Sequence, residues 1–220
     1  MGRESQSEKI FKYSLIFILC MLNYGEELVY WYLRLNGFFI ISNFVLHRES
    51  ESRGDADHLA VRLPRVTEYV RKLEDGEEKY EEVSFDEELF KYIDKDKIVG
   101  IIAEVKAGLA DSSYSPNIFF NEQRLRKALE RLGMYCGNLE KEKWYKKDVG
   151  DGYQVVKILF SNHNKDFEIK NDKYLIVSLR HVEKFIIDRL KEYKEEKAGS
   201  WVYFPSNLLQ YIIWYMKSHE

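Results

Sequence analysis

The chain has 220 residues, which suits one domain with appendages better than two full domains. It is 45% hydrophobic and 15% aromatic, enough to build a sizeable core, and this excludes intrinsic disorder as the organising state. Charged residues make up 32% and nearly balance at a net charge of -3, which excludes nucleic-acid binding by bulk charge alone and leaves room only for a local basic groove.

Residues Tyr13 to Leu22 (YSLIFILCML) form an apolar run behind Arg3, Lys9 and Lys12. The run is shorter than the roughly 20 residues a spanning helix needs, and no small-residue cleavage site follows it. A buried or partner-packed helix is the first reading, a poorly ordered leader the second and export the third; a membrane partner is not expected. Cys20 and Cys136 are far apart and form no CxxC, so neither a disulfide framework nor a zinc site is indicated, and a reducing, cytoplasmic setting fits best.

Gly25 to Asn36 (GEELVYWYLRLN) has Leu28, Trp31, Tyr32 and Leu35 at helical spacing, with Asn36-Gly37 as the stop signal. Phe38 to His47 and Asp57 to Leu63 read as strands, the second stopped by Pro64. Arg65 to Asp96 is dense in Glu and Asp and reads as a solvated insertion, with a short helix around Phe85 to Ile93; a partner-binding or DNA-repelling flap is the sharper alternative. Lys97 to Val105 is almost wholly apolar, as expected of a central strand covered on both faces. Asn121 to Leu132 is a helix ended by Gly133, Tyr153 to Phe160 and Lys173 to Leu179 are strands, and His181 to Tyr193 is an amphipathic helix. A final helix is expected from about Ser206 through Met216. The sum is an α/β protein, a mixed sheet flanked by helices in the order α-β-β-β-α-β-β-α plus a C-terminal helix. In domain terms this gives an apolar segment or leader over 1–22, a core over 23–180 with its acidic insertion at 65–96, and a helical extension over 181–220.

The chemistry gathers at Glu104-Val105-Lys106. A strand alternates faces, so Glu104 and Lys106 point the same way while Val105 enters the opposite layer. An acid and a base therefore emerge side by side at the end of a buried strand, where burial without a purpose would be costly. Asp57 opens a neighbouring strand and can stand beside Glu104. Two carboxylates near a backbone carbonyl make an oxygen-only site suited to Mg²⁺ or Mn²⁺, and Lys106 can orient a water and offset charge on the phosphorane.

The runs GEELVYWYLRLNGFF, GDADHLAVR and IIAEVKAG, in that order, resemble the PD-(D/E)XK nuclease superfamily, in particular the branch of archaeal Holliday-junction resolvases and small RecB-like endonuclease-related proteins. The resemblance covers roughly Gly25 to Leu132. It implies a restriction-endonuclease-like core and metal-dependent hydrolysis of DNA phosphodiesters. It also implies that Glu26 (with Glu27 as fallback) is the helix carboxylate, that Asp57 and Glu104 hold metal, and that Lys106 is the catalytic lysine. The helix with Gln123, Arg124 and Arg126 falls where the family has its second core helix. Two features depart from the pattern: the Asp57–Glu104 stretch is long, and Lys127 stands where a Gln-x-x-x-Tyr motif would have Tyr.

Arg124, Arg126, Lys127 and Arg131 read equally as a solvated face with Glu130 or as a phosphate-contacting helix. His58 reads as a core or edge histidine and His163 as a turn residue. The aromatic C-terminus (Trp201, Phe204, Tyr211, Trp214) reads as core or homodimer packing before base stacking. The functional expectation is a Mg²⁺-dependent endonuclease-like enzyme. The alternative is a catalytically inactive module of the same fold that binds nucleic acid or a protein.

Overall fold

The computed structural model describes residues 24–45, 55–74, 77–108, 116–135, 144–193 and 206–218. Helix α1 (Tyr24–Leu35) buries Leu28, Trp31, Tyr32 and Leu35 at the helical spacing of its sequence, together with Val29 and Leu33. It stops at Gly37, whose φ of +81 is the left-handed geometry glycine adopts most readily; a Cβ there would come within 2.9 Å of Val66 Cγ1.

Strand β1 (Phe39–Val45) turns back antiparallel into β2 (Asp55–Arg62), and β2 pairs antiparallel with β5 (Ile98–Lys106). Between them lie a hairpin, β3 (Tyr69–Glu74) with β4 (Glu77–Glu82), and a single 3-10 turn at Leu89–Lys91. After β5 come the short helix α2 (Asn117–Phe120), α3 (Glu122–Arg131), β6 (Lys146–Asp148), β7 (Tyr153–Ser161), β8 (Phe167–Lys170), β9 (Tyr174–Ser178), α4 (Leu179–Glu192) and α5 (Asn207–Ser218). The main sheet has seven strands in the order β1-β2-β5-β7-β9-β8, with β6 added beside β7. β5, β7 and β9 are mutually parallel. The mixed α/β sheet flanked by helices agrees with the sequence.

Each sheet face carries its own core. On one face α1, α4 and Leu209 of α5 pack on Ala60, Val99, Ile101, Ala103, Val105, Ile158 and Val177. On the other, Phe119, Leu125, Ala128 and Leu129 cover Leu59, Ile102, Val155, Leu159 and Ile176. The alternation of β5 thus sends Val105 into the α1 layer and sets Glu104 and Lys106 on the α3 side, both half-buried at the strand end.

The acidic insertion is only in part the solvated segment expected from the sequence. β4 is exposed throughout, yet Val70, Val83, Leu89, Phe90 and Ile93 are buried, the last three in the main core. The expected helix around Phe85 to Ile93 shrinks to the 3-10 turn. Leu89 and Phe90 reach the core from that one turn while the flanking carboxylates Glu87 and Glu88 stay in water. The aromatic C-terminal helix also differs from a core reading, because Tyr211 is 58% and Trp214 60% exposed while Leu209 takes the core position. Trp201, Phe204, both cysteines and the apolar run 13–22 lie outside the described residues. Among the described residues no helix is long and apolar enough to cross a membrane.

Candidate metal and nucleic-acid site

The β2–β5 ladder begins at His58 opposite Ala103. Carried one residue further, that register sets Asp57 opposite Glu104. There the side chain takes over from the backbone: Asp57 Oδ2 accepts the N–H of Val105 at 2.6 Å. The Asp57 carboxylate is therefore fastened to the peptide that links Glu104 to Val105. Of the four residues expected to carry chemistry, Asp57, Glu104 and Lys106 come together at the carboxyl end of β5, the end of parallel strands at which open α/β sheets commonly bind ligands. Neighbouring loops are fastened there too, since Asn162 Nδ2, just past the end of β7, donates to the carbonyl of Ala107 at 2.7 Å.

Glu26 arrives differently. It lies half-buried in the first turn of α1, which covers the sheet face opposite to that of Glu104 and Lys106. Its main chain is held by His58, whose Nε2 donates to the Glu26 carbonyl at 2.9 Å. A carbonyl can only accept, so the neutral ring carries its proton on Nε2, and Nδ1 accepts from the Ser42 hydroxyl at 3.1 Å. His58 is fully buried, and burial pushes its pKa down to about 4, against a smaller upward effect of the Glu26 bond. It is the core histidine expected from the sequence, and it joins α1, β2 and β1 next to Asp57. Glu27, the fallback, accepts from the Ser206 hydroxyl at 2.6 Å and so ties α1 to the start of α5.

Among the described residues no group of three or more His, Cys, Asp or Glu side chains is arranged to hold a metal ion. At the strand end Asp57 and Glu104 offer two carboxylates. Hard oxygen ligands in that number suit Mg²⁺, which is bound through one or two carboxylates and keeps several waters.

Helix α3 is capped by Asn121, whose side chain accepts the Arg124 N–H at 3.1 Å, and it buries Leu125, Ala128 and Leu129. Arg126 is exposed, bonded to Glu130 at 2.8 Å and lying over the Tyr135 ring. Arg124 and Lys127 are half-buried one turn apart. His163 follows β7 and bonds Glu168 of β8 at 2.6 Å.

A polar cluster that sequence reasoning missed centres on Asp86. Its Oδ2 accepts from the Tyr32 hydroxyl at 2.5 Å and from His181 Nε2 at 2.7 Å. Its Oδ1 accepts the Glu88 N–H, and its own N–H donates to Asn36 Oδ1 at 2.8 Å. Burial works to raise the Asp86 pKa, but the hydrogen bonds and charge of His181 and the Tyr32 bond outweigh it and hold the carboxyl below its usual range. The signal in the sequence is Asp86 standing three residues before Leu89, an aspartate that opens a turn ahead of apolar positions. Lys157 was hidden in an apolar strand; it is fully buried, with Nζ 4.3 Å from the Trp144 ring centre.

Comparison with protein-family models finds no match, and neither curated proteins nor solved structures include one similar to this chain at a significant level.

Proposed function

We propose that this chain is a Mg²⁺- or Mn²⁺-dependent endonuclease-like protein of the PD-(D/E)XK type, hydrolysing DNA phosphodiester bonds. The observation that carries the reading is the hydrogen bond of Asp57 to the Val105 N–H, which fixes one carboxylate against the peptide of a second, Glu104, with Lys106 next on the same face. In this reading Asp57 and Glu104 would hold the cation, which would supply Lewis-acid polarisation of a phosphoryl oxygen. Lys106 orients the attacking water and stabilises negative charge that develops in the transition state. Glu26 orients the surrounding groups from the end of α1, and Arg124, Arg126 and Lys127 contact phosphates flanking the scissile bond.

A second reading is a catalytically inactive module of this fold that binds nucleic acid or a protein, in which the Asp57–Val105 hydrogen bond serves only to end the β2–β5 pairing. Calorimetric titration with MgCl₂ and MnCl₂ separates the two. The catalytic reading requires saturable binding that Asp57→Asn weakens at least about tenfold; no binding in the wild-type chain favours the inactive module.

A further inference from the structure

The two outer strands of the main sheet are unlike each other. β8 has four residues and carries Glu168 and Lys170, the short, charged make-up that protects an edge from pairing. β1 has seven residues, FIISNFV, with no charge and no proline. β2 pairs with one edge of β1, so among the described residues the other edge of β1 presents a row of backbone N–H and C=O groups. On the sheet face where α2 and α3 cover the central strands, Phe39 is 69% and Ile41 42% exposed; Leu63, just past β2, is 46% exposed. Among the described residues of β1 the protective feature is Asn43, whose left-handed φ of 51 interrupts the ladder between the Ser42–His58 and Phe44–Ala56 pairs. It leaves Phe39 to Ser42 as the regular stretch.

We infer that this edge is where a second copy of the chain docks, β1 against β1 antiparallel about a twofold axis perpendicular to the sheet. Such an edge accepts an extended strand, and an uncharged strand complements an uncharged one. A twofold axis perpendicular to the sheet preserves its faces, so odd residues meet odd residues whether Ile40 or Ile41 lies on the axis. In either register Phe39 and Ile41 of both copies close into one apolar patch. Phe39, Ile41 and Leu63 expose on the order of 300 Å² of apolar surface per copy. With the strand edge itself, the pair would cover roughly 1,000 Å² in total, the lower bound for a specific interface. An interface of that size belongs with weak, reversible associations. This inference does not depend on the catalytic reading.

Sedimentation equilibrium of the full chain from about 1 to 200 µM tests it, a span that brackets a micromolar dissociation constant. The wild-type chain dimerises reversibly, and Ile41→Lys shifts the dissociation constant upward at least about tenfold with an unchanged circular-dichroism spectrum and melting temperature. Ile169→Lys on the β8 edge leaves it unchanged. Phe39→Lys repeats the test should Ile41→Lys fail to fold. A wild-type chain that stays monomeric across the range overturns the inference, and so does a lysine variant that folds and dimerises as well as wild type.

Discussion

Asp57 and Val105 are joined by a 2.6 Å hydrogen bond from a backbone N–H to a carboxylate, in a place where an antiparallel ladder would have put a carbonyl. The substitution brings a charged group into the seam between β2 and β5 at the point where Glu104 and Lys106 flank Val105. One side chain thus ends the strand pairing and opens the candidate site.

Removing that acceptor has a stability consequence. Asp57→Ala takes the charged partner from the Val105 N–H, a loss of about 1–3 kcal/mol. Asp57→Asn retains a carbonyl acceptor and loses less. Urea unfolding in the presence of a chelator should order the three proteins as wild type, Asn, Ala. An alanine variant as stable as wild type would mean the bond contributes nothing.

The Asp86 cluster is structural, and it behaves as a unit. Asp86→Ala strips the acceptor from both the Tyr32 hydroxyl and His181 Nε2 in a buried setting, with an expected loss on the order of 3 kcal/mol. Tyr32→Phe alone removes one donor and costs less. The double variant should be less destabilised than the two single losses added together, because the same bond is counted in both. Strict additivity in a double-mutant cycle would contradict the shared oxygen.

His58 gives a pH dependence with a definite sign. Its folded pKa is depressed to about 4 from 6.5, so between these values the unfolded chain binds a proton that the folded chain does not. Its contribution to stability is complete above about pH 6.5 and is lost as pH falls through 5 toward 4, amounting at most to about 3 kcal/mol. Metal-free wild-type protein should therefore show a falling urea midpoint from pH 7 to pH 4.5. His58→Gln, less stable at neutral pH, should show a shallower fall over the same interval, and a parallel slope would remove His58 as its source.

How far the sequence reached depended on whether a segment had a face to bury. IVGIIAEVK is apolar until its last three residues, so both the strand and the outward pair Glu104 and Lys106 could be read from it. Its neighbour was legible as a strand over Asp57 to Leu63, against an observed Asp55–Arg62, but its antiparallel direction was not. β4, EEKYEE, is exposed on both sides and has no such pattern, so its hairpin with β3 was invisible. Three-residue β6 and four-residue β8 are too short to carry a period. The Asp86 cluster joins residues 54 and 95 positions away, a separation that no local window spans. The bond from His58 to the Glu26 carbonyl was not legible either, because backbone groups leave no mark on residue type.

The measurement that bears most directly on the catalytic reading is single-turnover cleavage of linear, nicked and branched DNA with Mg²⁺ or Mn²⁺, wild type against Lys106→Ala. If Lys106 acts on charge formed only in the transition state, the alanine variant loses about 10²–10³ in the cleavage rate while its affinity for DNA stays nearly unchanged. Metal-dependent cleavage by Lys106→Ala at the wild-type rate, or no cleavage of any of these substrates by the wild-type chain, would contradict the account.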